Sequence, residues 1–502
     1  MEMLKKVLIA NRGEIAVRIA RGCRELGVAT VAVFSEVDAG APHTLAADEA
    51  ICIGPAAPNE SYLDVGKLID AARTSGADAV HPGYGFLSER AAFAAAVRDA
   101  GLVFVGPSAE TIEALGDKQR ARALAEQAGV PVTPGAALED DAQLPELAQR
   151  IGFPLLLKAA SGGGGKGMRV VRSAEGLDEA LGSARREALT AFGDDRIIVE
   201  KLIERPRHVE IQILCDQHGA AVHLLERECS VQRRHQKIIE EAPSVAVDAA
   251  LRARMGDAAL RIARAANYHN AGTVELMLAE DGHFYFLEVN TRLQVEHPVT
   301  EAITGVDLVH EQLRVASGER LALSQGDIAP RGHAIECRVY AEDPERDFAP
   351  SPGPVLALSE PQMPGVRVDS GIRHGQTIPL NYDPILAKVI AHAPTRDAAL
   401  ARARRAMAEY VLLGFPHNVP FLDAVLAHPA FVAGELHTGF IAEHWPDGFR
   451  GATASERELA LAAALLDGPA RGRSAATGGS AAGDTPSAAP SPWQSLGSWR
   501  QR

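Results

Sequence analysis

Two acidic residues occupy matching positions in two strand-like apolar runs, 273–279 and 284–290. The Asp281-Gly282 pair between the runs is a strong hairpin turn signal. With this pair at the centre of the turn, or with a four-residue loop in its place, Glu275 faces Glu288 across the two strands. Facing carboxylates have Cβ atoms about 5 Å apart and repel each other.

The neighbours of Glu275 and Glu288 are almost all apolar, so water cannot readily relieve this repulsion. Hard oxygen ligands favour a divalent cation such as Mg²⁺ or Mn²⁺. We therefore predict a metal site at this pair. A surface hairpin with two tolerated acids is the less favoured alternative.

Polar residues recur at every second position from the hairpin onward, as Glu288, Asn290, Arg292, Gln294 and Glu296. This period puts them on one face of an extended chain. At about 3.3 Å per residue, Glu288 and Asn290 lie about 7 Å apart and can share a metal, whereas Glu296 lies about 26 Å from Glu288 on a straight chain. Glu296 is therefore predicted to serve a second subsite with Arg292 and Gln294. A guanidinium suits a small oxyanion such as bicarbonate, and a carboxylate beside it can accept a proton.

A glycine run with the sequence SGGGGKG occupies positions 161–167. Four consecutive glycines are costly in conformational entropy, so they indicate a function. Exposed backbone N–H groups on such a loop can surround phosphate oxygens, and Lys166 adds positive charge. The spacing does not match a P-loop, and a simple flexible turn needs fewer glycines. We predict a lid that closes over a nucleotide.

The first hundred or so residues alternate strand and helix patterns, which predicts a doubly wound α/β unit. No G-x-G-x-x-G turn follows the first strand, so dinucleotide binding has no support. The predicted strands are 7–10, 28–34, 77–80 and 103–105, with helices around 15–26, 62–74 and 89–100.

One helical segment is predicted from about 109 to 127, and a second α/β unit that contains the glycine run begins near residue 130. A third region, which mixes strands with one helix, starts near residue 333. Ala, Gly, Ser and Pro dominate from about 467 to 492, which is typical of a linker, and a short piece with two tryptophans, 493–499, follows it.

Composition narrows the class of protein. The 502 residues suit two to four packed units, and 46% hydrophobic with 23% charged residues is ordinary for a globular enzyme. The net charge of −14 argues against free nucleic acid as a partner. We recognise no signal peptide or membrane span, and five scattered cysteines favour a cytoplasmic protein. Cys229 lies in a charged segment where a thiol can be reactive, although a buried thiol is the favoured interpretation.

Four motifs resemble those of biotin carboxylases, namely 11–18, 81–89, 162–168 and 288–301. The resemblance covers roughly residues 3–446, and the last motif is specific to this branch, whereas the glycine run suits several ATP-grasp ligases. The family includes the free-standing bacterial subunit of acetyl-CoA carboxylase and the N-terminal part of propionyl- and methylcrotonyl-CoA carboxylase α subunits.

The resemblance implies an α/β (α+β) fold with an ATP-grasp core. Its expected parts are an N-terminal doubly wound domain at 1–114, an ATP-grasp domain at 115–332 with a mobile glycine-loop lid at about 130–203, a C-terminal biotin carboxylase domain at 333–446, and a mostly disordered tail at 447–502.

The implied reaction converts ATP, bicarbonate and biotin into ADP, phosphate and N1-carboxybiotin through carboxyphosphate. Glu296 would be the base that deprotonates bicarbonate, and Arg338 would stabilise the enolate oxyanion of biotin. The bicarbonate or carboxyphosphate ligands would be Lys237, Arg292, Gln294 and the Val295 backbone. The metal ligands would be Glu275 and Glu288, with Asn290 close by. The expected nucleotide contacts are Lys118, Lys158, Gly162, Gly163, Gly164, Gly165, Lys166, Gly167, Glu200, Lys201, Ile203, His208, Gln232 and His235.

The chain contains no Met-Lys-Met biotinylation site. We therefore expect biotin on another polypeptide or on a portion absent here, with a biotin carrier, a carboxyltransferase and a second copy or larger complex as partners, and neither nucleic acid nor membrane. The segment 491–500 resembles the point where methylcrotonyl-type α subunits continue into their next domain. A split or truncated α subunit and a free-standing subunit with an unusual tail both fit.

Two other functions are weighed against this one. Another ATP-grasp ligase, such as half of a carbamoyl-phosphate synthetase or a purine-pathway carboxylase, would share the lid and the metal carboxylates but not the run from Arg292 to Pro298. A nucleotide-binding regulatory subunit would have lost its catalytic positions, yet all of them are present.

Overall fold

The computed structural model describes residues 3–160, 168–451 and 463. Met1–Ala452 forms one compact unit. The predicted glycine lid (Gly162, Gly163, Gly164, Gly165, Lys166 and Gly167) lies outside the described residues, as do the predicted linker and the tryptophan-containing end.

A five-stranded parallel sheet forms the N-terminal part, in the order β3-β2-β1-β4-β5. Its strands are β1 (Lys6–Ile9), β2 (Ala29–Phe34), β3 (Glu49–Cys52), β4 (Ala79–His81) and β5 (Val103–Phe104), and the helices between them are α1 (Gly13–Glu25), α2 (Pro42–Ala46), α3 (Val65–Ser75) and α4 (Ala91–Asp99). Val7 and Ile9 pack into the core on one face, while Leu8 and Ala10 pack into a second core on the other. Apolar side chains on both faces are typical of a parallel strand covered by helices. The predicted doubly wound unit is thus confirmed.

The single helix predicted at 109–127 is wrong, because the chain forms two helices there, α5 (Ala109–Gly116) and α6 (Lys118–Gln127). Asp117 leaves helical geometry with φ −83° and ψ 116°, and its side chain accepts a hydrogen bond from the Arg120 N–H. A short acidic side chain that caps a new helix in this way ends the preceding one.

A four-stranded antiparallel sheet follows, in the order β6-β9-β7-β8. Its strands are β6 (Gly135–Ala137), β7 (Leu155–Ala159), β8 (Arg169–Val171) and β9 (Ile197–Lys201), and its helices are α7 (Leu144–Ile151) and α8 (Leu177–Phe192). These elements enclose a small core of their own around Leu155, Leu157 and Val199.

An eight-stranded antiparallel sheet forms the centre, in the order β14-β13-β10-β11-β12-β15-β22-β20. Its strands are β10 (Arg207–Cys215), β11 (Ala221–Arg233), β12 (Gln236–Ala242), β13 (Asn270–Leu278), β14 (Phe284–Asn290), β15 (His333–Tyr340), β20 (Val366–Ser370) and β22 (Ile385–Ala393). The short strands between β15 and β22 belong to separate two-stranded sheets; they are β16 (Glu342–Asp343), β17 (Ala349–Pro350), β18 (Gly353–Pro354), β19 (Ala357–Ser359) and β21 (Thr377–Ile378). Because β12 pairs with β15, this sheet is continuous across residue 333.

The remaining helices lie on both sides of residue 333 in the sequence. Before residue 333 they are α9 (Ala249–Ala265), α10 (His297–Thr304) and α11 (Leu308–Ala316); after it, they are α12 (Arg396–Glu409), α13 (Val419–Ala427), α14 (Pro429–Ala433) and α15 (Phe440–His444), with a last strand β23 (Val411–Leu413). None of the helices in the described ranges combines the length and the apolar character needed to cross a membrane.

Phe421 is the centre of the C-terminal core. It is fully buried and makes edge-to-face contacts with Phe348, Trp445 and Phe449 at centroid distances of 5.0–5.2 Å. We expect Phe421→Ala to lower the free energy of unfolding by about 3–5 kcal/mol, because truncation leaves a cavity that the surrounding rings cannot fill. Urea denaturation followed by fluorescence measures this change.

Leu380→Ala is the matched control for Phe421→Ala, because Leu380 is 66% exposed. We expect its effect to stay within about 0.5 kcal/mol. Equal losses in the two variants would contradict the packing described for Phe421.

Candidate active site

A cleft of about 1060 Å³ lies between the four-stranded sheet and the central sheet. Of the predicted site residues that the structure describes, only Glu296 is absent from its lining. The cleft is lined by Lys118, Lys158, Glu200, Lys201, Ile203, His208, Gln232, His235, Lys237, Glu275, Glu288, Asn290, Arg292, Gln294, Val295 and Arg338. Glu296 is fully buried and is linked to the cleft through Lys237 and Arg338.

Glu275 lies opposite Glu288 in the β13–β14 hairpin, as the sequence predicts, but the predicted turn is wrong. Leu278 pairs with Phe284, and the Ala279 N–H donates to the His283 carbonyl at 2.8 Å, so three residues form the loop. A shift of one residue beyond Phe286, where Leu287 is the extra residue, then restores the predicted pairing. Without that β-bulge, Glu275 would face Leu287 and Glu288 would point to the other side of the strand.

The two facing carboxylates have opposite electrostatic environments. Burial alone would raise the pKa of Glu275, but Lys237 Nζ at 2.8 Å and His208 Nε2 at 3.2 Å hold it far below its usual value. Burial raises the pKa of Glu288, and the negative charge of Glu275 raises it further. Within residues 3–160 and 168–451, the Glu288 carboxylate has neither a hydrogen bond nor an ion pair. An under-neutralised acid beside a second carboxylate has the donor chemistry that a hard divalent cation requires.

Lys237 joins three carboxylates from different elements. Its Nζ lies 2.6 Å from Glu210 on β10, 2.8 Å from Glu275 on β13 and 2.7 Å from Glu296 just before α10. Burial alone would lower the pKa of Lys237, but these three acids hold it well above its usual value. The ammonium therefore stays charged.

The separation of about 26 Å between Glu288 and Glu296 holds only for a straight chain, and the segment folds back. Strand β14 ends at Asn290, and the chain turns before α10 begins at His297, so Glu296 contacts the same ammonium as Glu275. The Gln294 amide also donates to Glu275, at 3.3 Å. The two predicted subsites are therefore adjacent.

Arg338 bridges two buried acids, with Nη2 2.9 Å from Glu296 and 2.5 Å from Glu240. Burial alone would raise the pKa of Glu296, but Lys237, Arg338 and Arg227 hold it well below the usual value. Glu296 is therefore an anion at neutral pH, enclosed by cations.

Arg292 binds its sequence neighbours and one distant acid. It donates to Gln294 Oε1 at 2.9 Å and to Asn290 Oδ1 at 3.0 Å, which brings these alternate residues together. Its Nε donates to Glu89 at 2.9 Å, although Glu89 lies 203 positions earlier in the N-terminal part.

The predicted nucleotide contacts that the structure describes line the same cleft. Lys158 Nζ lies 2.7 Å from Glu200, whereas the Lys201 ammonium donates to the Gly152 and Phe153 carbonyls at 3.2 and 2.6 Å. Lys118 is the first residue of helix α6. The Gln232 amide lies 2.9 Å from His208 Nδ1, so these two neighbours orient each other.

Sequence reasoning missed several buried charges that hold the site together. Arg227 is fully buried and donates to Glu210 at 2.6 Å. Lys388 donates to the Val295 carbonyl at 2.8 Å and lies 3.3 Å from Glu14, whose carboxylate accepts a hydrogen bond from Tyr84. The detectable signal was Lys388 in the run ILAKVIAHA at 385–393, in which His392 is the only other polar residue.

Cys229 is a buried thiol. Burial raises its pKa well above the usual value, so the favoured interpretation holds and the thiol is not activated.

Three family models match consecutive parts of the chain. They are described as "Biotin carboxylase, N-terminal domain" over residues 3–112, "Carbamoyl-phosphate synthase L chain, ATP binding domain" over 117–324, and "Biotin carboxylase C-terminal domain" over 336–443.

Similar curated proteins fall into two length classes. Biotin carboxylase 1 of Bacillus subtilis is 51% identical over 442 residues, which cover 88% of this chain and 98% of that protein. The propionyl-CoA carboxylase alpha chain of Ruegeria pomeroyi is 47% identical over 484 residues, and the mitochondrial chain of Sus scrofa is 48% identical over 469 residues. Each match covers 92% of this chain, but only 71% and 64% of those longer proteins.

Solved structures agree with the fold. The biotin carboxylase domain dimer of Hydrogenobacter thermophilus 2-oxoglutarate carboxylase, in complex with MgADP, ADP and bicarbonate, has a TM-score of 0.85 and 43% identity and covers 90% of this chain and all of that one. Campylobacter jejuni biotin carboxylase, solved as a β,γ-ATP complex, has a TM-score of 0.84 and 42% identity and covers 88% and 99% of the two chains.

Glu288→Gln tests the predicted metal site. We expect at least a tenfold weaker affinity for Mn²⁺, because the neutral amide no longer supplies a charged oxygen opposite Glu275. Electron paramagnetic resonance titration of free Mn²⁺ measures the affinity.

Asp281→Asn is the matched control, because Asp281 is an exposed acid in the turn of the same hairpin. It should leave Mn²⁺ binding unchanged. Loss of affinity in both variants, or in neither, would contradict the assignment of Glu288.

Proposed function

Because this chain belongs to the biotin carboxylase family, we propose that it catalyses ATP- and bicarbonate-dependent carboxylation of biotin on a carrier protein. The enzyme is an ATP-dependent ligase of the ATP-grasp class. Carboxyphosphate is the intermediate, formed when bicarbonate attacks the γ-phosphate of ATP and ADP leaves.

One observation carries the proposal: the Lys237–Glu296–Arg338 chain of contacts lies directly beside the Glu275–Glu288 pair. A nucleotide in the cleft and a small acid bound at Lys237, Glu296 and Arg338 are thereby brought within reach of each other. Such proximity converts a bimolecular step into one between held reactants.

Glu296 is proposed as the base that takes the proton of bicarbonate. Lys237 and Arg338 keep it anionic at rest. A bound anion that draws these two cations toward itself weakens both ion pairs, and the basicity of Glu296 then rises when the substrate is present. Arg292, Gln294 and the Val295 backbone complete the proposed anion site.

Glu275 and Glu288 would hold Mg²⁺ or Mn²⁺, with Asn290 next to them. Their donor set fits such an ion, because two carboxylates face each other and burial and the charge of Glu275 raise the pKa of Glu288 although Lys118 and His208 oppose this rise. When bound, the ion neutralises charge on the transferring phosphoryl group.

The proposed nucleotide contacts are those that the resemblance implies. Besides the glycine run, they are Lys118, Lys158, Glu200, Lys201, Ile203, His208, Gln232 and His235. Lys158, paired with Glu200, supplies a positive charge at the phosphate end of the cleft. The glycine run 162–167 is proposed to close over the phosphates.

Arg338 is proposed to stabilise the enolate oxyanion of biotin. The ureido nitrogen is a poor nucleophile until charge on its oxygen is stabilised, and one such donor contributes about 3–4 kcal/mol. The guanidinium lies at the cleft surface while its Nη2 contacts Glu296, so biotin would bind beside the bicarbonate subsite.

We also propose how the chain takes part in a larger carboxylase. Since it lacks a Met-Lys-Met motif, biotin would come from a separate carrier or a further segment, and a carboxyltransferase would select the acyl-CoA. The same proposal includes a second copy of the chain and a cytoplasmic location. It also includes four parts, at 1–114, 115–332, 333–446 and 447–502. The family models at 3–112, 117–324 and 336–443 support this division.

The two alternative functions are less well supported. The ATP-binding model shares its description with carbamoyl-phosphate synthases, but both flanking models are those of biotin carboxylases. A regulatory subunit does not account for a complete buried network around Lys237 and Glu296.

Glu296→Ala and Arg338→Ala test the function. With ATP, Mg²⁺, bicarbonate and free biotin, the wild-type chain should release ADP in a biotin-dependent manner and form carboxybiotin. Each substitution should lower that rate by about 10²–10⁴-fold, because it removes the base or the oxyanion donor.

ATP affinity, measured by calorimetry, should stay within about threefold of the wild type, since neither side chain is assigned to the nucleotide. Unchanged carboxylation in both variants would refute the residue roles. Bicarbonate-dependent ATP cleavage that biotin does not stimulate would favour another ATP-grasp ligase.

A further inference from the structure

Two fully buried carboxyl groups lie behind the cleft and have no role in the reaction described so far. Glu240 on β12 and Glu336 on β15 are cross-strand partners in the central sheet, and both are 0% exposed. Cross-strand partners have Cβ atoms about 5 Å apart, so the two acids are neighbours. Among the described residues, Glu336 has no hydrogen-bond partner, and Arg338 is the only cation that forms an ion pair with Glu240.

Two adjacent buried acids with so few donors cannot both be ionised at low cost. Burial raises the pKa of Glu336 far above its usual value, because the opposing charges of Lys388 and Arg338 do not offset it, so Glu336 stays protonated. Burial, opposed in part by Arg338, raises the pKa of Glu240 to about 7. Glu240 is therefore able to take up or release a proton near neutral pH.

Glu240 is connected to the proposed base by one shared atom. Arg338 Nη2 lies 2.5 Å from Glu240 Oε1 and 2.9 Å from Glu296 Oε2. Both carboxylate oxygens therefore contact the same nitrogen atom, which keeps them within the span of one bridging water molecule. The guanidinium itself keeps its protons, so it positions the two acids without carrying a proton between them.

The charged groups around Glu240 come from three parts of the chain. Arg338 and Glu336 lie on β15, Lys237 lies on the same strand as Glu240, and Glu296 lies just before α10. Helix α10 also brings His297, whose pKa is held well below its usual value by burial, so that it stays neutral.

We propose that Glu240 is a second proton acceptor, which receives from Glu296 the proton that Glu296 takes from bicarbonate. This inference rests on the proposed function. The bicarbonate O–H bond breaks and its proton goes to Glu296, while the oxygen forms a bond to the γ-phosphorus and the bond from that phosphorus to the ADP oxygen breaks. The proton then leaves the Glu296 oxygen, and an O–H bond forms on Glu240. After the products leave, the proton returns through Glu296 to water in the open cleft.

Such a transfer would protect the next chemical step. Breakdown of carboxyphosphate releases CO₂ and a phosphate anion that is far more basic than a carboxylate. A proton left on Glu296, beside the same subsite, would neutralise that phosphate before biotin could lose its nitrogen proton. On Glu240, behind Arg338, the proton is held out of reach.

Glu240→Gln tests the transfer, because glutamine keeps the shape and an oxygen for Arg338 but cannot accept a proton. Since Glu240 must be unprotonated to act, the wild-type kcat for carboxybiotin formation should rise about tenfold between pH 6 and pH 8, at constant bicarbonate. In Glu240→Gln, kcat at pH 8 should fall at least tenfold, and the rise with pH should disappear. The KM for ATP should not change.

Glu336→Gln is the matched control, because it alters a neighbouring buried acid that is already neutral. It should keep the rise of kcat between pH 6 and pH 8. Glu240→Asp should also keep a rise, since a carboxylate is retained, and this variant decides the question if the glutamine variant does not fold by circular dichroism.

A Glu240→Gln enzyme that keeps both its rate and the rise with pH would overturn the inference, as would a Glu240→Asp enzyme without the rise. A lower rate with an unchanged pH profile would also overturn it, because that result shows only a structural contact with Arg338. Failure of the proposed function is distinguishable, since the wild-type chain would then form no carboxybiotin at any pH.

Discussion

The buried ammonium of Lys237 is the interaction on which the rest of the site depends. Glu210, Glu275 and Glu296 come from three separate elements, and each would be costly to bury as an isolated anion. One cation within 2.8 Å of all three fixes the relative positions of two strands of the central sheet and the segment before α10. Removing it would leave Glu210 with Arg227, Glu296 with Arg338 and Glu275 with His208, but no group would then join the three acids to one another. The geometry of the cleft and its electrostatics are therefore established by the same contact.

Charges of alternating sign extend from this centre through the sheet. Arg227 binds Glu210, Lys237 joins Glu210 to Glu296, and Arg338 joins Glu296 to Glu240. A charge added or removed at one position changes the proton affinity of its neighbours, because these groups are screened from water. Substrate anions would therefore be bound and deprotonated by one coupled network.

Residues that are distant in sequence hold the side chains and backbone of this network in place. Glu89, from the N-terminal part, orients Arg292, and Lys388, from the third region, holds the Val295 carbonyl 93 positions away. The central sheet makes this possible because β12 pairs with β15. The anion subsite is thus built by all three regions, although most of its predicted ligands lie within one short segment.

The sequence alone determined what local patterns can encode: the parallel N-terminal unit, the pairing of Glu275 with Glu288, and the family motifs. Period-2 alternation and turn residues act over a few positions, so they are readable without a structure. Even there, the pairing was correct although the turn was wrong, because a bulge at Leu287 compensated for a different loop. Only the tertiary structure decided that residues 291–296 fold back, that Lys237 joins Glu275 to Glu296, and that Glu240 lies behind Arg338. Those contacts depend on strand order and on the neutralisation of buried charge across the whole sheet, which no local spacing specifies.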